Sequence, residues 1–220
     1  MRRRSFLPVI AIILFVGLGY WLLNSSRDQE FLASTLPLCN SLDDPSNPKE
    51  LIITNKNSLT QFQAIYYDIT GTSLEEITTS IRNNTMVPGG SAATTQWSHE
   101  RRQTESGDAI VHNVTVFLPR WRSGSSPADV GEEWERFSTN LCQHEINHLR
   151  IFEKAINKIE CESPAELTRI ISITNEISDQ YDNLTDHGRL EGASLGSKVE
   201  RRDFSSWLDS ALIKIDAVDC

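Results

Sequence analysis

One apolar stripe between residues 132 and 159 constrains the fold of this chain more than any other feature. Apolar and aromatic side chains recur there at intervals of three and four residues, which is the spacing of one face of an α-helix. The stripe contains two histidines, and its members are Trp134, Phe137, Leu141, His144, His148, Phe152, Ala155 and Ile159. The pattern predicts one long helix over residues 132–159, with its apolar face against the protein interior.

The segment before this helix has the alternating, β-branched and aromatic pattern of strands. The predicted strands are Gln61–Thr70, Ala93–Arg102 and Ala109–Leu118, of which the last two form a hairpin and the last ends at Pro119. A short helix is predicted over Leu74–Arg82, with Ser73 as its N-cap. Because strands come first and helices follow, the sequence predicts an α+β fold with a small antiparallel sheet, not a parallel doubly wound one.

The N-terminus has the pattern of a membrane anchor. Arg2, Arg3 and Arg4 precede Phe6–Leu23, a run of 18 residues without a charge. A helix of this length spans about 27 Å, close to the thickness of the hydrocarbon core of a bilayer. The run favours an uncleaved signal anchor over residues 1–24, with a cleaved signal peptide and secretion as the alternative. We therefore expect a single-pass membrane protein with its globular part outside the cytoplasm.

The remaining chain divides into three predicted parts. Residues 25–60 are a linker, because Pro45 and Pro48 stand there among aspartate, serine and asparagine. Residues 61–195 form the folded domain. Residues 196–220 are a C-terminal extension with the apolar pattern of a terminal helix.

The charge of the chain limits its partners. The net charge is -9, and three of the 21 basic residues belong to the N-terminal arginine cluster, which leaves 18 basic against 30 acidic side chains. No basic stripe occurs in the sequence. An acidic surface repels a phosphate backbone, so we expect no nucleic-acid partner.

Four cysteines are typical of two disulfides in an oxidising compartment. They are Cys39, Cys142, Cys161 and Cys220. The predicted helix separates Cys142 from Cys161 by roughly 25 Å, whereas a disulfide needs Cα atoms within about 7 Å. Cys39 and Cys220 therefore either partner these two or pair with each other and leave two free thiols. No CxxC pair occurs, which argues against a cysteine zinc site.

The two histidines of the stripe belong to an HExxH motif, His144-Glu145-Ile146-Asn147-His148. Imidazoles at positions i and i+4 project from one helix face and can bind one Zn²⁺ through two nitrogens. The glutamate between them emerges beside the metal, where it can take a proton from bound water. Two imidazoles buried without partners would be costly. The motif therefore predicts a zinc site with both histidines as ligands and Glu145 as the catalytic base.

A catalytic zinc usually has three protein ligands and one open position. The metzincin extension of the motif is absent, because Ile151 and Lys154 occupy the positions of its glycine and its third histidine. We expect the third ligand on the next helix, which Ser163 and Pro164 begin as N-cap and first residue.

The apolar stripe of that helix leads to His187, which directly precedes Gly188, a natural helix C-cap. This placement makes His187 a candidate third ligand. A histidine favoured by the dipole at a helix C-terminus is the purely structural explanation. The rival ligands on the same segment are Glu176, Asp182 and Asp186.

Several motifs occur together in a fixed order. They are residues 66–71, Trp97, residues 118–121, the HExxH motif, Cys161 and residues 181–188. Over roughly residues 60–195 they resemble a bacterial family of unknown function described as predicted secreted zinc-dependent proteases. A His-Gly pair follows a YDxxT run in that family, and this resemblance implies His187 as the third zinc ligand. The family often has a cysteine entering the second hairpin strand, which is absent here, so the resemblance implies Cys39 or Cys220 as the partner of Cys161.

These observations lead us to expect a membrane-anchored, extracytoplasmic zinc metallopeptidase acting on peptide or protein substrates. The resemblance to a bacterial family implies that the anchor lies in the inner membrane and the domain in the periplasm. The three histidines would hold the zinc, Glu145 would take the proton from water, and Tyr181 or Arg120 would stabilise the oxyanion. An extended peptide would bind along an edge of the hairpin. One alternative is a non-catalytic envelope binding or structural module with a structural zinc, and another is an amidase or esterase acting on envelope polymers.

Overall fold

The computed structural model describes residues 50–55, 58–87, 91–104, 107–122, 126–158, 164–196 and 200–218. The predicted signal anchor, most of the predicted linker and three of the four cysteines lie outside these ranges. Among the residues described, no helix has both the length and the apolar character that a membrane span requires.

Four strands of the described chain form one mixed sheet in the order β1-β2-β4-β3. Their bounds are β1 Glu50–Asn55, β2 Ser58–Ile69, β3 Thr94–Thr104 and β4 Gly107–Trp121. β1 pairs with β2, and β3 with β4, as antiparallel hairpins. β2 and β4 lie parallel at the centre, with Ile69 opposite Trp121. β3 is therefore one edge of the sheet.

The sheet departs from the prediction in two ways. The predicted α+β class and the β3–β4 hairpin are confirmed, but the sheet is not purely antiparallel, because its two hairpins join through the parallel β2–β4 pair. Residues 50–60, predicted as the end of the linker, supply β1 and the start of β2. β1 is the antiparallel neighbour of β2 on its outer side. After β2 the chain passes to β3 at the far edge of the sheet, and the β3–β4 hairpin then places β4 next to β2 and parallel to it.

Strand β4 continues to Trp121, so the prediction that Pro119 ends it is wrong. The N–H of Arg122 donates to the carbonyl of Ile69 on β2 at 2.9 Å. By the alternation along a strand, the ring nitrogen of Pro119 then faces away from β2. On that side β3 pairs with β4 no further than Phe117. The proline therefore removes no hydrogen bond from the ladder.

Helix α1 spans Leu74–Arg82, the range that its sequence predicts. The Ser73 hydroxyl accepts the N–H of Glu76, and the Glu76 carboxylate accepts the N–H of Ser73. Two N–H groups at the helix start are thereby satisfied. Ile77 and Ile81 on one face are buried. The helix packs on the sheet within the crossover from β2 to β3.

Three further helices make up the rest of the fold. They are α2 Ala128–Lys158, α3 Pro164–Thr185 and α4 Ser205–Asp216, with a 3-10 turn at Arg189–Glu191. α2 begins four residues before its predicted start, and its stripe is buried as predicted from Phe137 to Ala155. Trp97 of β3 contacts Phe152 with ring centroids 5.2 Å apart, which ties the sheet to this helix.

The predicted C-terminal extension contributes α4 to the domain core. Leu208, Ala211 and Ile215 on α4 are buried in one cluster with Ile177 of α3 and Ile151 of α2. Tyr181 of α3 belongs to this cluster and contacts the rings of His144 and His148 and of Trp207 on α4, so α4 is one of the elements that position the histidines.

Candidate metal centre

His144 and His148 lie on the inward face of α2, one turn apart. Their side chains are almost fully buried, with residue exposures of 3% and 6%. Their rings meet edge to face with centroids 4.8 Å apart, and their Nε2 atoms are 3.3 Å apart. Both Nε2 atoms therefore point towards one shared partner.

Asp182 on α3 completes a cluster with these two nitrogens. Its Oδ1 lies 3.1 Å from Nε2 of His144 and 3.0 Å from Nε2 of His148. Ligands at about 2.0–2.1 Å from a tetrahedral zinc are about 3.3 Å from one another. The three donor atoms therefore stand at nearly the spacing that one bound cation imposes, and they form a potential metal site.

His187, which the sequence favoured as third ligand, lies outside this cluster. Its Nδ1 is 3.8 Å from Oδ1 of Asp182, and its side chain is 73% exposed. Asp182, one of the predicted rivals, occupies the place that was predicted for the histidine. Of the other two rivals, Glu176 bonds Gln180 on the exposed side of α3, and Asp186 pairs with Arg189.

The C-terminal end of α3 explains why His187 points outward. The helix ends at Thr185, and then Asp186, His187 and Gly188 all have positive φ, at 53°, 51° and 79°. The His187 N–H donates to the carbonyl of Asp182 at 2.8 Å, which satisfies a carbonyl in the last turn of the helix. A left-handed backbone turns the chain away from the helix face, so the His187 ring does not continue the stripe.

Gly188 packs directly against the first metal-site histidine. A Cβ at this position would lie 2.9 Å from Cγ of His144, and its φ of 79° also disfavours other residues. The hydroxyl of Thr185 accepts a hydrogen bond from the Gly188 N–H at 3.2 Å. The YDxxTxHG run, residues 181–188, therefore has three roles. Asp182 is a candidate metal ligand, Thr185 bonds the backbone at the end of the helix, and Gly188 contacts α2.

Glu145 is buried beside the cluster, with 3% of its surface exposed. Thr95 on the edge strand β3 donates its hydroxyl to Oε2 of this carboxylate at 2.6 Å. Burial raises the pKa of Glu145, and the neighbouring charges of His148 and His144 act in the opposite direction. A carboxylate with a raised pKa is a better proton acceptor than an exposed one.

Each metal-site imidazole has its second nitrogen fixed by a hydrogen-bond partner. Nδ1 of His144 lies 2.7 Å from Oε2 of Glu191, and Nδ1 of His148 lies 2.8 Å from the Ser178 hydroxyl. A carboxylate only accepts, so His144 carries a proton on Nδ1 and can present the lone pair of Nε2 to a metal. Burial lowers the pKa of His144, but the hydrogen bonds with Asp182 and Glu191 outweigh it and raise that pKa to about 9.

Glu191 also anchors a small network behind His144. Tyr181 donates its hydroxyl to Oε1 of Glu191 at 2.5 Å, and Asn147 donates to the Tyr181 oxygen at 2.6 Å. The Tyr181 ring stacks on His144, with centroids 5.1 Å apart and planes 16° apart. The hydroxyl of Tyr181 is engaged on the Nδ1 side of that imidazole, and Arg120, the other predicted oxyanion donor, pairs with Asp68.

The profile of one protein family matches residues 64–188, which is more than half of the chain. The chain belongs to the family described as "Bacterial protein of unknown function (DUF922)". No curated protein and no solved structure matches it. The matched part of this DUF922 chain contains the HExxH motif, Asp182 and Gly188, but it ends three residues before Glu191.

The loop after the matched part is held onto α2 by two side chains of that helix. Arg136 donates to the carbonyls of Gly192 and Ser194, both at 2.6 Å. Glu133 pairs with Arg136 and accepts from the N–H of Gly196 at 2.7 Å. These contacts place Glu191 against His144 in the DUF922 chain.

Sequence reasoning missed three residues that support the site. Thr95, Ser178 and Glu191 each bond one residue of the HExxH motif. Ser178 and Asp182 are four residues apart on α3, and this spacing was a signal for a polar pair on one helix face. Thr95 and Glu191 carry no such signal, because tertiary structure alone brings them to α2.

Proposed function

We propose that this protein is a zinc-dependent metallopeptidase whose metal is held by His144, His148 and Asp182. The observation that carries the proposal is the cluster of three donor atoms, 3.0–3.3 Å apart. Two imidazoles and one carboxylate form a ligand set of catalytic zinc, with a fourth position for water. Asp182 replaces His187, which we no longer propose as a ligand.

Glu145 is the proposed general base. Thr95 fixes Oε2 of this carboxylate, which leaves Oε1 to accept a proton from the attacking water. A zinc ion in the cluster would supply acidity to that water and polarise the substrate carbonyl. Glu191 holds His144 in the tautomer that leaves Nε2 free for the metal, and the Ser178 hydroxyl can accept from Nδ1 of His148 in the same tautomer.

The edge strand β3 is the proposed binding surface for an extended peptide. β3 pairs only with β4 within the described sheet, and its Thr95 contacts the proposed base. A peptide that adds to this edge as a further strand would run past Glu145. We propose peptides or proteins of the bacterial envelope as substrates, because the N-terminal pattern and the cysteines favour an anchored, extracytoplasmic domain.

The second candidate function is a binding or structural module in which the metal only joins α2 to α3. The burial of both histidines and of Glu145 favours this candidate, since structural zinc sites are closed. It gives Glu145 no chemical task. The two candidates therefore differ in what removal of that carboxylate does.

The test compares the full-length wild type with Glu145→Gln. We expect the variant to keep its zinc, measured by elemental analysis, and to lose at least about 100-fold in hydrolysis of a peptide library, because general-base catalysis contributes about that much. Glu132→Gln, an exposed glutamate on the same helix, is the matched control and should retain full activity. A wild type that carries zinc but cleaves no peptide, amide or ester in the library would favour the structural module.

The identity of the third ligand is tested by a second pair of variants. Asp182→Ala should lose most of the bound zinc, whereas His187→Ala should retain it, because only the aspartate lies among the three close donor atoms. Elemental analysis for zinc, iron and manganese also reads out the metal, since two histidines and a carboxylate can hold iron as well. The reverse result would return the ligand role to His187.

A further inference from the structure

A separate cleft of about 480 Å³ lies between α2, the 3-10 turn and the start of α4. Its α2 side is formed by residues at helical spacing from Asn140 to Arg150, and its other side by residues 201–205. The three proposed metal ligands are not among its lining residues, so the cleft is a distinct place on the described surface. It shares Glu191 and Asn147 with the network behind His144.

Three arginines line this cleft, Arg150 on α2 and Arg201 and Arg202 before α4. Arg150 pairs with Asp209 at 2.9 Å. Neither Arg201 nor Arg202 lies within ion-pair distance of an acidic side chain of the described chain, although the charge of Arg201 acts on Asp203, and both arginines are exposed. The protein has a net charge of -9, whereas this lining holds three arginines against two carboxylates, Glu191 and Asp203.

The two acidic residues of the cleft have other partners. Glu191 accepts the Tyr181 hydroxyl and faces His144. Asp203 accepts the N–H of Ser205 at 2.9 Å, at the first turn of α4. Glu191 is thus bonded through both oxygens and Asp203 through Oδ1, while Arg201 and Arg202 have no ion pair with an acidic side chain of the described chain.

Three amide side chains also line the cleft, of which Asn147 and Asn140 already donate to the Tyr181 hydroxyl and the Gly192 carbonyl. The amide side chains of Asn140, Gln143 and Asn147 lie along the α2 wall. The 12-residue helix α4 begins at the cleft, and its N-cap residue Phe204 provides no side-chain cap. The start of α4 adds positive potential, part of which the Asp203 carboxylate offsets through its hydrogen bond with the Ser205 N–H.

We propose that this cleft binds a phosphate group, either as the free ion or as a monoester. A guanidinium group donates two parallel N–H groups to the oxygens of a phosphate. Several guanidinium groups around one site offer more donors than one carboxylate has acceptor oxygens for, whereas a phosphate has further oxygens to accept them. The apolar ring of Phe204 at the cleft wall gives a monoester with an apolar substituent an additional contact.

The experiment measures binding of inorganic phosphate and of phenyl phosphate to the full-length protein by calorimetry, at an ionic strength held constant with sodium chloride. Saturable binding is expected for the wild type, and about tenfold or weaker affinity for the double variant Arg201→Gln/Arg202→Gln. Tighter binding of phenyl phosphate than of phosphate identifies a monoester as the ligand, and equal affinity identifies the free ion.

Two controls separate this site from other causes. Arg101→Gln/Arg102→Gln removes the same charge from the exposed part of β3 and should bind phosphate as the wild type does. Asp182→Ala should also bind phosphate normally, because the cleft does not use the metal ligands. Equal loss in the β3 variant, loss in Asp182→Ala, or unchanged binding in the Arg201/Arg202 variant would each overturn the proposal. If the double variant does not fold, Gln143→Glu on the exposed face of α2 introduces a negative charge instead and should weaken binding likewise.

Discussion

At the scale of single residues, the site depends on how each imidazole is held from behind. His144 lies between a candidate ligand, Asp182, and the carboxylate of Glu191. A carboxylate behind a metal-binding histidine fixes its orientation and raises its basicity. Glu191 is therefore the residue whose loss should weaken the metal site without removing any ligand.

We expect Glu191→Gln to weaken zinc binding about 10- to 100-fold while the fold is retained. The amide oxygen can still accept the hydrogen bond from His144, but without the negative charge it no longer raises the basicity of the imidazole. Competition with a chromogenic zinc chelator measures the affinity. Glu132→Gln on α2 serves as the matched control. Unchanged zinc affinity in Glu191→Gln would show that Glu191 only fills space behind the ring.

The two histidines of the HExxH motif were predictable, whereas the third member of the cluster, Asp182, was predicted only as a rival to His187. The motif fixes two nitrogens by helix geometry alone, and the structure brings His144 and His148 together as expected. The sequence favoured His187 because a periodic pattern extends a helix to its C-cap glycine. The helix instead ends at Thr185, and the next three residues, 186–188, all have positive φ. The pattern of apolar side chains does not predict that turn.

At the scale of elements, periodicity identified the helices and one hairpin but not the partner of β2. α1 was predicted to the residue because its start carries a capping box. β2 and β4 both alternate, and alternation does not say whether two strands run parallel. The linker composition of residues 25–60 also hid β1, which a short antiparallel hairpin joins to β2.

Strand β4 carries a buried imidazole that makes the fold sensitive to acid. His112 is fully buried, and its ring nitrogens have no hydrogen-bond partner among the described residues. Burial, with a smaller contribution from His99, lowers the pKa of His112 to about 4. The ring is thus neutral in the fold but takes up a proton on unfolding below its usual pKa of about 6.5.

The free energy of unfolding should therefore fall as the pH falls from about 6.5 towards 4, since the unfolded chain then binds the additional proton. His112→Leu should weaken this dependence and raise the stability at pH 5 by about 1–3 kcal/mol, because an unpaired buried polar group is removed. Urea unfolding at pH 5 and pH 8 measures both effects. His99→Leu, at the exposed partner position on β3, is the control and should leave most of the acid sensitivity in place.

At the scale of the whole molecule, the proposed metal site joins α2 to α3, while Glu145 is bonded from the edge of the sheet. A metal that binds only the folded chain adds to its stability in proportion to the logarithm of its concentration over its dissociation constant. The helical layer and the sheet would both depend on it.

Removal of the metal with a chelator should lower the stability by about 4 kcal/mol for zinc held at a thousand times its dissociation constant. For a domain of this size, that corresponds to a fall in the melting temperature of about 10 °C. Calorimetry with and without chelator measures the change. Asp182→Ala should melt at the lower temperature in both conditions, and a wild type that does not respond to chelator would contradict a stabilising metal.

The attachment of residues 192–196 to Glu133 and Arg136 has a consequence for reading natural variation. These two side chains lie two to three turns before His144 on α2, partly exposed, and neither is part of the proposed chemistry. A substitution there would look like a harmless surface polymorphism, yet it would release the segment that carries Glu191. Loss-of-function alleles of this gene should therefore cluster on the first half of α2 as well as at the motif itself.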